Sequence, residues 1–210
     1  MDTDRKWVVV RIDGKIAAVS TDYKALAGIT ARIAQQKTPA YGKVCAETVD
    51  FDHVWNLRNT ARWENLMLFG TDFQKKVWKK LYELTHPEEA VQEAVQEAAQ
   101  DGTEGEGSAA KKARLISYSD FADLCQNKAG VRAVAHAIGL NPISVIIPCH
   151  LVIPKESIDK MADIRRKAES TIFKGEDICV ESFLHDKSVD FGEYALGRGL
   201  KRRLIQLELV

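Results

Sequence analysis

The chain begins with two short apolar runs that flank an Asp-Gly pair. The runs Trp7–Ile12 and Lys15–Val19 are rich in β-branched residues and lie on either side of Asp13 and Gly14. An Asp-Gly pair in this position is a strong signal for a two-residue hairpin turn, because both residues tolerate a positive φ. The pattern therefore predicts an antiparallel hairpin near the N-terminus.

A helical pattern follows the hairpin. Leu26, Ile29 and Ile33 fall on one face of a helix predicted over about 22–35, and residues 44–57 are expected to supply a further strand. The pattern changes near residue 67, which predicts a small N-terminal α/β domain over 1–67 and a second domain over 68–210.

The second domain starts with an amphipathic helix. Its apolar residues Phe73, Val77, Trp78 and Leu81 are spaced to bury one face, and all four are predicted to lie in the core. Further along, helices predicted over 119–126 and 131–138 are joined by a turn at 127–130, which has helix-turn-helix character.

A cysteine and a histidine stand together at the end of an apolar run. The run 145–147 reads as a buried strand or extended segment bounded by Pro142 and Pro148, so that Cys149 sits at an abrupt turn beside His150. A thiolate is the nucleophilic form of cysteine, and a neighbouring imidazole promotes it. Read alone, the pair favours an inert core cysteine over a reactive one.

Composition limits the class of protein. With 210 residues, of which 45% are apolar, the chain can hold one large domain or two small ones. Its four cysteines show no CxxC or zinc-ligand spacing, so a disulfide framework or a metal site is not expected, and a reducing intracellular compartment suits an unpaired thiol. Asp13, Asp50 and Asp52 are expected in turn and surface roles. Neither a signal peptide nor a membrane span is indicated.

Charge gives a mixed indication about nucleic acid. The formal net charge is +0, whereas a DNA-binding protein normally presents a basic face. Basic residues crowd the C-terminal helix, where a solvated surface is slightly favoured over phosphate contact for any one of them; these are Arg198, Lys201, Arg202 and Arg203.

Several sequence blocks in one order resemble the O6-alkylguanine-DNA alkyltransferases, also called methylated-DNA-protein-cysteine methyltransferases. The resemblance covers about 69–154 and 190–208, and it is more specific than any single motif. Its blocks are Gly70–Leu81, Ile116–Leu124, Gly130–Ile138, Asn141–Val152 and Gly192–Tyr194 with the helix that follows.

The resemblance implies a fold and a compartment. The fold is α/β, with a small ribonuclease-H-like N-terminal domain that lacks the ribonuclease carboxylates and a mostly helical, winged-helix-like C-terminal domain. The protein is expected to be a cytoplasmic monomer, or a nuclear one in a eukaryote, without cofactor or metal.

The resemblance also implies a hydrogen-bonded relay. Glu208 orients His150, which takes the thiol proton of Cys149 through a water molecule. Asn141 ties the DNA-facing helix to the active-site segment, a role compatible with a helix C-cap before Pro142.

Residues for the DNA and the base are implied in the same way. The alanine-rich second helix enters the minor groove, Arg132 fills the place of the extruded base, and Tyr118 contacts phosphate and donates to the base. Ala133 and His136 lie on the same DNA-facing helix, where His136 replaces a usually small residue. Three further residues form the pocket for the guanine: Tyr194, Val152 and Ala195.

The implied reaction is irreversible. The thiolate of Cys149 attacks the alkyl carbon on O6 of guanine within double-stranded DNA, and the thioether product is not regenerated, so each molecule acts once. Two alternatives stay open: a lesion-binding protein that transfers nothing, as in the alkyltransferase-like proteins, and a cysteine hydrolase. The presence of Cys149 speaks against the first, and the sequence adjacency of His150 speaks against the second.

Three departures from the family pattern stand out. Leu151 occupies the position of a usual arginine, and insertions lie at about 86–113 and 155–190. In the second insertion Ile158, Met161 and Ile164 predict an amphipathic helix. This insertion is open to three interpretations, an extended DNA contact, a lid or a surface addition, of which the last is favoured because loops tolerate insertions. The sequence does not define the range of alkyl groups accepted or activity on O4-alkylthymine.

Overall fold

The computed structural model describes residues 5–21, 26–27, 31, 42–86, 114–172 and 186–209; within 114–172, side chains are described as far as residue 167. Contacts divide the chain into two compact units. The first contains residues 1–114 and 136–149, and the second contains 115–135 and 150–210. The domain boundary near residue 67 is a different partition, and it stays a prediction.

The first unit contains a three-stranded antiparallel sheet. Its strands are β1 (Trp7–Ile12), β2 (Lys15–Ser20) and β3 (Val44–Val49), in the order β2-β1-β3. The predicted hairpin is confirmed: Asp13 and Gly14 have φ values of 51° and 82°, as a two-residue turn requires.

Aspartate side chains fix the turns of this unit. The carboxylate of Asp13 accepts hydrogen bonds from the backbone N–H groups of Gly42 and Lys43, at 3.2 and 2.9 Å. Asp50 accepts one from the backbone N–H of His53 at 2.8 Å and thereby caps α1 (Phe51–Thr60), while Asp52 is exposed in its first turn. The turn and surface roles predicted for these aspartates are confirmed.

The strand expected over 44–57 is correct only as far as Val49. The prediction is wrong beyond that point, because the Asp50 cap starts a helix there by satisfying an otherwise unpaired N–H group. The helix predicted over 22–35 falls mostly outside the described residues, of which 26, 27 and 31 are helical.

The predicted amphipathic helix is α2 (Asp72–Glu83), which Thr71 and Gln74 cap reciprocally. Val77, Trp78 and Leu81 are buried as predicted. Phe73 is 36% exposed, so its core assignment is wrong. It lies in the first turn of the helix, a full turn before the buried positions begin.

The second unit contains a parallel pair of two-residue strands, β4 (Ile116–Ser117) and β5 (Val152–Ile153). The helices predicted before and after a short turn are present as α3 (Tyr118–Leu124) and α4 (Val131–Gly139). Between them Gln126 has a φ of 57°, typical of the residue that ends a helix, and a 3-10 turn follows at Lys128–Gly130.

The second insertion contributes to the core of the second unit. It begins with α5 (Lys155–Ile172), whose apolar side packs into one cluster with α6 (Arg198–Leu209), as the predicted amphipathic pattern requires. The cluster contains Ile153, Met161, Val189, Phe191 and Ile205, with Leu115, Ile158, Ile164 and Leu209 against it. The first insertion lies outside the described residues beyond His86.

Among the helices that the structure describes, none is both long and apolar enough to cross a bilayer.

Candidate functional site

The segment that carries the cysteine is joined to the sheet of the first unit. The backbone N–H of Val19 in β2 donates to the carbonyl of Pro142 at 3.0 Å, and the N–H of Ser144 donates to the carbonyl of Val19 at 3.1 Å. Ile143 between them is fully buried. The N-terminal sheet therefore fixes the backbone immediately upstream of Cys149.

A tight turn, rather than a strand, leads to the cysteine. Val145 has a φ of 73°, a conformation that costs a β-branched residue about 1–3 kcal/mol. The N–H of Ile147 donates to Ile143, and that of Cys149 donates to Ile147 at 2.8 Å. The extended backbone predicted over 145–147 is therefore wrong, although all three side chains are buried as predicted.

Asn141 holds the cysteine sulfur from inside the same unit. Its Nδ2 donates to Sγ of Cys149 at 3.2 Å and to the carbonyl of Ile147 at 2.9 Å, while its Oδ1 accepts from the N–H of Ile143 at 3.0 Å. An N–H directed at sulfur stabilises the thiolate over the thiol. Cys149 is 8% exposed, so little water competes with this contact.

His150 and Glu208 form a buried pair in the second unit. Nε2 of His150 lies 3.1 Å from Oε1 of Glu208, with the two side chains 0% and 3% exposed. The carboxylate therefore fixes the orientation of the imidazole. His150 follows Cys149 directly in sequence, and the division between the two units falls between these two residues.

Lys201 is a structural residue that the sequence did not reveal. It is 1% exposed, and its Nζ donates to the carbonyl of Val152 at 2.9 Å and to that of Glu193 at 3.4 Å. Its inclusion among the basic surface residues of the C-terminal helix is therefore wrong. Helical periodicity could have indicated its burial, because Lys201 lies about two turns before Glu208 and therefore on the same side of α6.

Lys201 links the loop before α6 to β5. Gly192 in this loop has a φ of 81°, and a Cβ there would lie 3.1 Å from Cδ of Pro154. Tyr194, the implied pocket wall, is half-buried and accepts a hydrogen bond from the N–H of Gly197 at 2.9 Å through its carbonyl. Val152 is buried in β5, and Ala195 is exposed.

Leu151, which replaces the usual arginine, is fully buried. It lies between His150 and Val152, whose carbonyl accepts from Lys201. An apolar side chain at this point leaves no unpaired charge in the core, so the substitution has no uncompensated cost of the kind that a broken buried ion pair brings.

Helix α4 has one exposed and one buried face. Arg132, Ala133 and His136, which the sequence predicted to face DNA, are exposed. Ala137 is buried, and its carbonyl accepts a hydrogen bond from Nε1 of Trp78 at 2.8 Å, which occupies one of the carbonyls left unpaired at a helix end. Other apolar residues of α4, Val134 and Ile138, are also buried.

Tyr118 is the first residue of α3 and is half-buried. Ser117 caps the helix, since its Oγ accepts from the N–H of Asp120 at 3.0 Å and donates to the Asp120 carboxylate at 2.6 Å. Nζ of Lys201 lies 5.9 Å from the centre of the Tyr118 ring. The structure thus fixes the start of α3 and places a buried cation near its tyrosine.

Comparisons with known proteins identify similar sequences. Residues 108–170 match the family model of the 6-O-methylguanine DNA methyltransferase DNA-binding domain. A probable methylated-DNA-protein-cysteine methyltransferase of Acanthamoeba polyphaga mimivirus is 36% identical over 93 residues, 44% of this chain and 45% of that protein. The methylated-DNA-protein-cysteine methyltransferase of Haemophilus influenzae is 32% identical over 87 residues, 41% of this chain and 34% of that protein.

A solved structure shares the fold. The O6-methylguanine-DNA methyltransferase of Pyrococcus kodakaraensis strain KOD1 superposes with a TM-score of 0.53 over 99% of this chain and 94% of its own, at 17% identity. The mixed α/β architecture is thereby confirmed.

Fold and motifs therefore define a mixed α/β protein that is similar to the O6-alkylguanine-DNA alkyltransferases. The resemblance to this family, predicted from the sequence blocks, is confirmed, and residues 108–170 match the model of its DNA-binding domain. The aligned region spans less than half the length of the curated relatives it matches.

Proposed function

We propose that this protein repairs DNA by transferring an alkyl group from O6 of guanine to Sγ of Cys149. The observation that carries the proposal is the contact of Asn141 with this sulfur at 3.2 Å, because it identifies Cys149 as a held, buried thiol rather than a core filler. The family match of residues 108–170 and the names of the relatives support the same reaction.

In the proposed relay, Glu208 orients His150, and the imidazole takes the thiol proton through a bridging water molecule. The thiolate of Cys149 then attacks the alkyl carbon, a sulfur–carbon bond forms, and the bond from that carbon to O6 breaks. Tyr118 donates a proton as charge develops on the leaving guanine, which departs as the neutral base within its strand. The thioether is stable, so each molecule acts once and needs no metal or cofactor.

The double-stranded DNA substrate is proposed to bind through helix α4. Ala133 permits close approach to the minor groove, Arg132 occupies the space of the extruded nucleotide, and His136 contacts the backbone. The exposure of these three side chains supports this role. Tyr194, Val152 and Ala195 are proposed to line the pocket for the guanine.

The finer fold assignments belong to the same proposal. The three-stranded antiparallel sheet supports a ribonuclease-H-like domain. The two helices joined by a turn and the short β4–β5 pair support a winged-helix-like one. The protein is proposed to act as a monomer in the cytoplasm, or in the nucleus of a eukaryote, because each lesion is a single modified base.

Intact mass measures the transfer directly. We expect a duplex with O6-methylguanine to add one methylene unit to the protein, once, and to add none to Cys149→Ser. Unchanged mass with lesion-selective binding would instead establish a recognition protein, and repeated turnover would establish a hydrolase or another true catalyst.

A second measurement tests base extrusion. Arg132→Ala is expected to slow repair of the duplex at least tenfold more than reaction with free O6-methylguanine base, because only the duplex requires a flipped nucleotide. Lys128→Ala, in the exposed turn before α4, is the matched control. Equal slowing of both reactions by Arg132→Ala would remove the base-extrusion role.

A further inference from the structure

The first unit has an open groove beside α2, and none of the site residues named above lines it. Its volume is about 520 Å³, within the range of small-ligand sites. One wall is apolar and aromatic, and the other is basic; the lining residues are Trp63, Leu66, Leu68, Lys75, Lys76 and Lys79.

The basic wall comes from a single turn of helix. Lys75 and Lys79 are one turn apart, half-buried, and both line the groove. Lys76 is exposed beside them. Three lysines thus lie within five positions of one helix, although the whole chain has a formal net charge of +0.

The aromatic wall is rigid. The ring of Trp63 packs against Tyr82 at a centroid distance of 5.3 Å, and the hydroxyl of Tyr82 donates to the carbonyl of Ala61 at 3.0 Å. Trp63 is half-buried, so part of its indole stays accessible. The exposed carboxylate of Glu64 follows it in sequence and is not among the lining residues.

We propose that this groove binds a stretch of DNA, with phosphodiester groups on Lys75, Lys76 and Lys79 and one base against Trp63. An aromatic face beside a row of cations is the chemistry that holds nucleic acid without sequence preference. The inference rests on the proposed function in taking DNA as the ligand, and it adds a second contact outside helix α4.

Equilibrium binding of the full chain to undamaged fluorescent DNA, over a range of salt concentrations, tests the lysine wall. Lys75→Gln/Lys79→Gln is expected to weaken binding about fivefold or more and to reduce the slope of log K against log salt by about 1.8, the value for two lost phosphate contacts. Lys15→Gln/Lys80→Gln removes the same charge from exposed or partly exposed positions outside the groove and is expected to leave the slope unchanged. Equal slopes in the two double variants would overturn the proposal.

The aromatic wall has its own test. Trp63→Leu keeps an apolar groove but removes the stacking surface, so it is expected to weaken DNA binding about fivefold or more while leaving binding of inorganic polyphosphate unchanged. A DNA affinity equal to that of the parent protein would overturn the base contact. Circular dichroism of each variant confirms that it is folded.

Methyl transfer to free O6-methylguanine separates this inference from the proposed function. Normal transfer by all variants, with DNA binding unaffected by the lysine substitutions, would overturn the groove alone. No transfer by the parent protein, with lysine-dependent DNA binding, would overturn the alkyl-transfer proposal and leave the groove standing.

Discussion

At the scale of single residues, the molecule holds its sulfur with a neutral amide. Asn141 donates to Sγ of Cys149 and to the carbonyl of Ile147, and it accepts from the N–H of Ile143. One side chain therefore closes the turn and stabilises the thiolate at the same time. The second role cannot be seen in sequence, where Asn141 before Pro142 is adequately explained as a helix end.

Removal of this amide is expected to affect reactivity and stability together. Asn141→Ala removes an amide donor to the sulfur and one of the two donors to the carbonyl of Ile147, so the free energy of unfolding should fall by about 1–3 kcal/mol. The thiolate loses its N–H contact, and alkylation of Cys149 by iodoacetamide at neutral pH should slow about tenfold. Urea denaturation and mass-resolved labelling measure the two effects.

The control is Asn59→Ala, which removes an exposed amide from α1. Labelling of Cys149 in Asn141→Ala at the rate found for Asn59→Ala would show that the amide does not activate the sulfur.

Lys201 shows how a charged residue can serve as a core residue. Lys201→Met keeps the apolar stem but removes the buried donor to the carbonyls of Val152 and Glu193, so we expect a loss of about 1–3 kcal/mol in the free energy of unfolding. Arg203→Met, an exposed position on the same helix, should change stability by less than about 0.5 kcal/mol. Chemical denaturation compares them, and equal losses would contradict a structural role for Lys201.

The loop before α6 contains a pH-sensitive surface pair. A hydrogen bond from Arg198 and then the charge of its guanidinium hold the pKa of Glu193 below its ordinary value of 4.5. The contribution of this pair is therefore fully present above the ordinary pKa and is lost as the pH falls through the lowered one.

Carboxyl-detected NMR can follow this titration. The midpoint for Glu193 should lie below 4.5 in the parent protein, and in Arg198→Met it should move up toward that ordinary value. A midpoint that does not move would show that Arg198 is not the cause.

At the scale of elements, amphipathic spacing predicted the positions of helices more reliably than composition did. It placed α2, α3, α4 and the start of α5, because burial of one apolar face stabilises each helix. The sequence pattern failed at Phe73, which is exposed because it lies in the first turn of α2. It also failed at 51–57, where the Asp50 cap starts a helix in place of the predicted strand. Helix α5 has a further role, since its residues Ile158, Met161 and Ile164 belong to the cluster that includes Ile205 of α6.

Helix α5 should therefore be needed for a stable second unit. Met161→Ala deletes a buried side chain from this cluster and is expected to cost about 2–5 kcal/mol, which thermal denaturation detects as a clear fall in Tm. Arg165→Ala on the exposed side of the same helix should leave Tm nearly unchanged. A Tm for Met161→Ala equal to that of Arg165→Ala would return the insertion to a peripheral role.

At the scale of the whole molecule, neither compact unit is a continuous stretch of chain. Residues 136–149 join the first unit because Val19 of β2 exchanges hydrogen bonds with Pro142 and Ser144. A boundary drawn from sequence follows changes in composition, and it has no means of detecting a bond between residues so far apart. The N-terminal sheet consequently supports the turn that carries the cysteine.

The sequence by itself determined the hairpin, most helices and the list of reactive residues, because turn chemistry, apolar periodicity and motif order are local properties. It also identified His150 and Glu208 as partners, through the likeness to a known family. Tertiary structure alone decided that Val145 adopts a positive φ, that Lys201 is buried and that Asn141 reaches the sulfur. These three features depend on which residues distant in sequence are buried together, because each buried polar atom must find a hydrogen-bond partner there. The local sequence pattern does not contain that information.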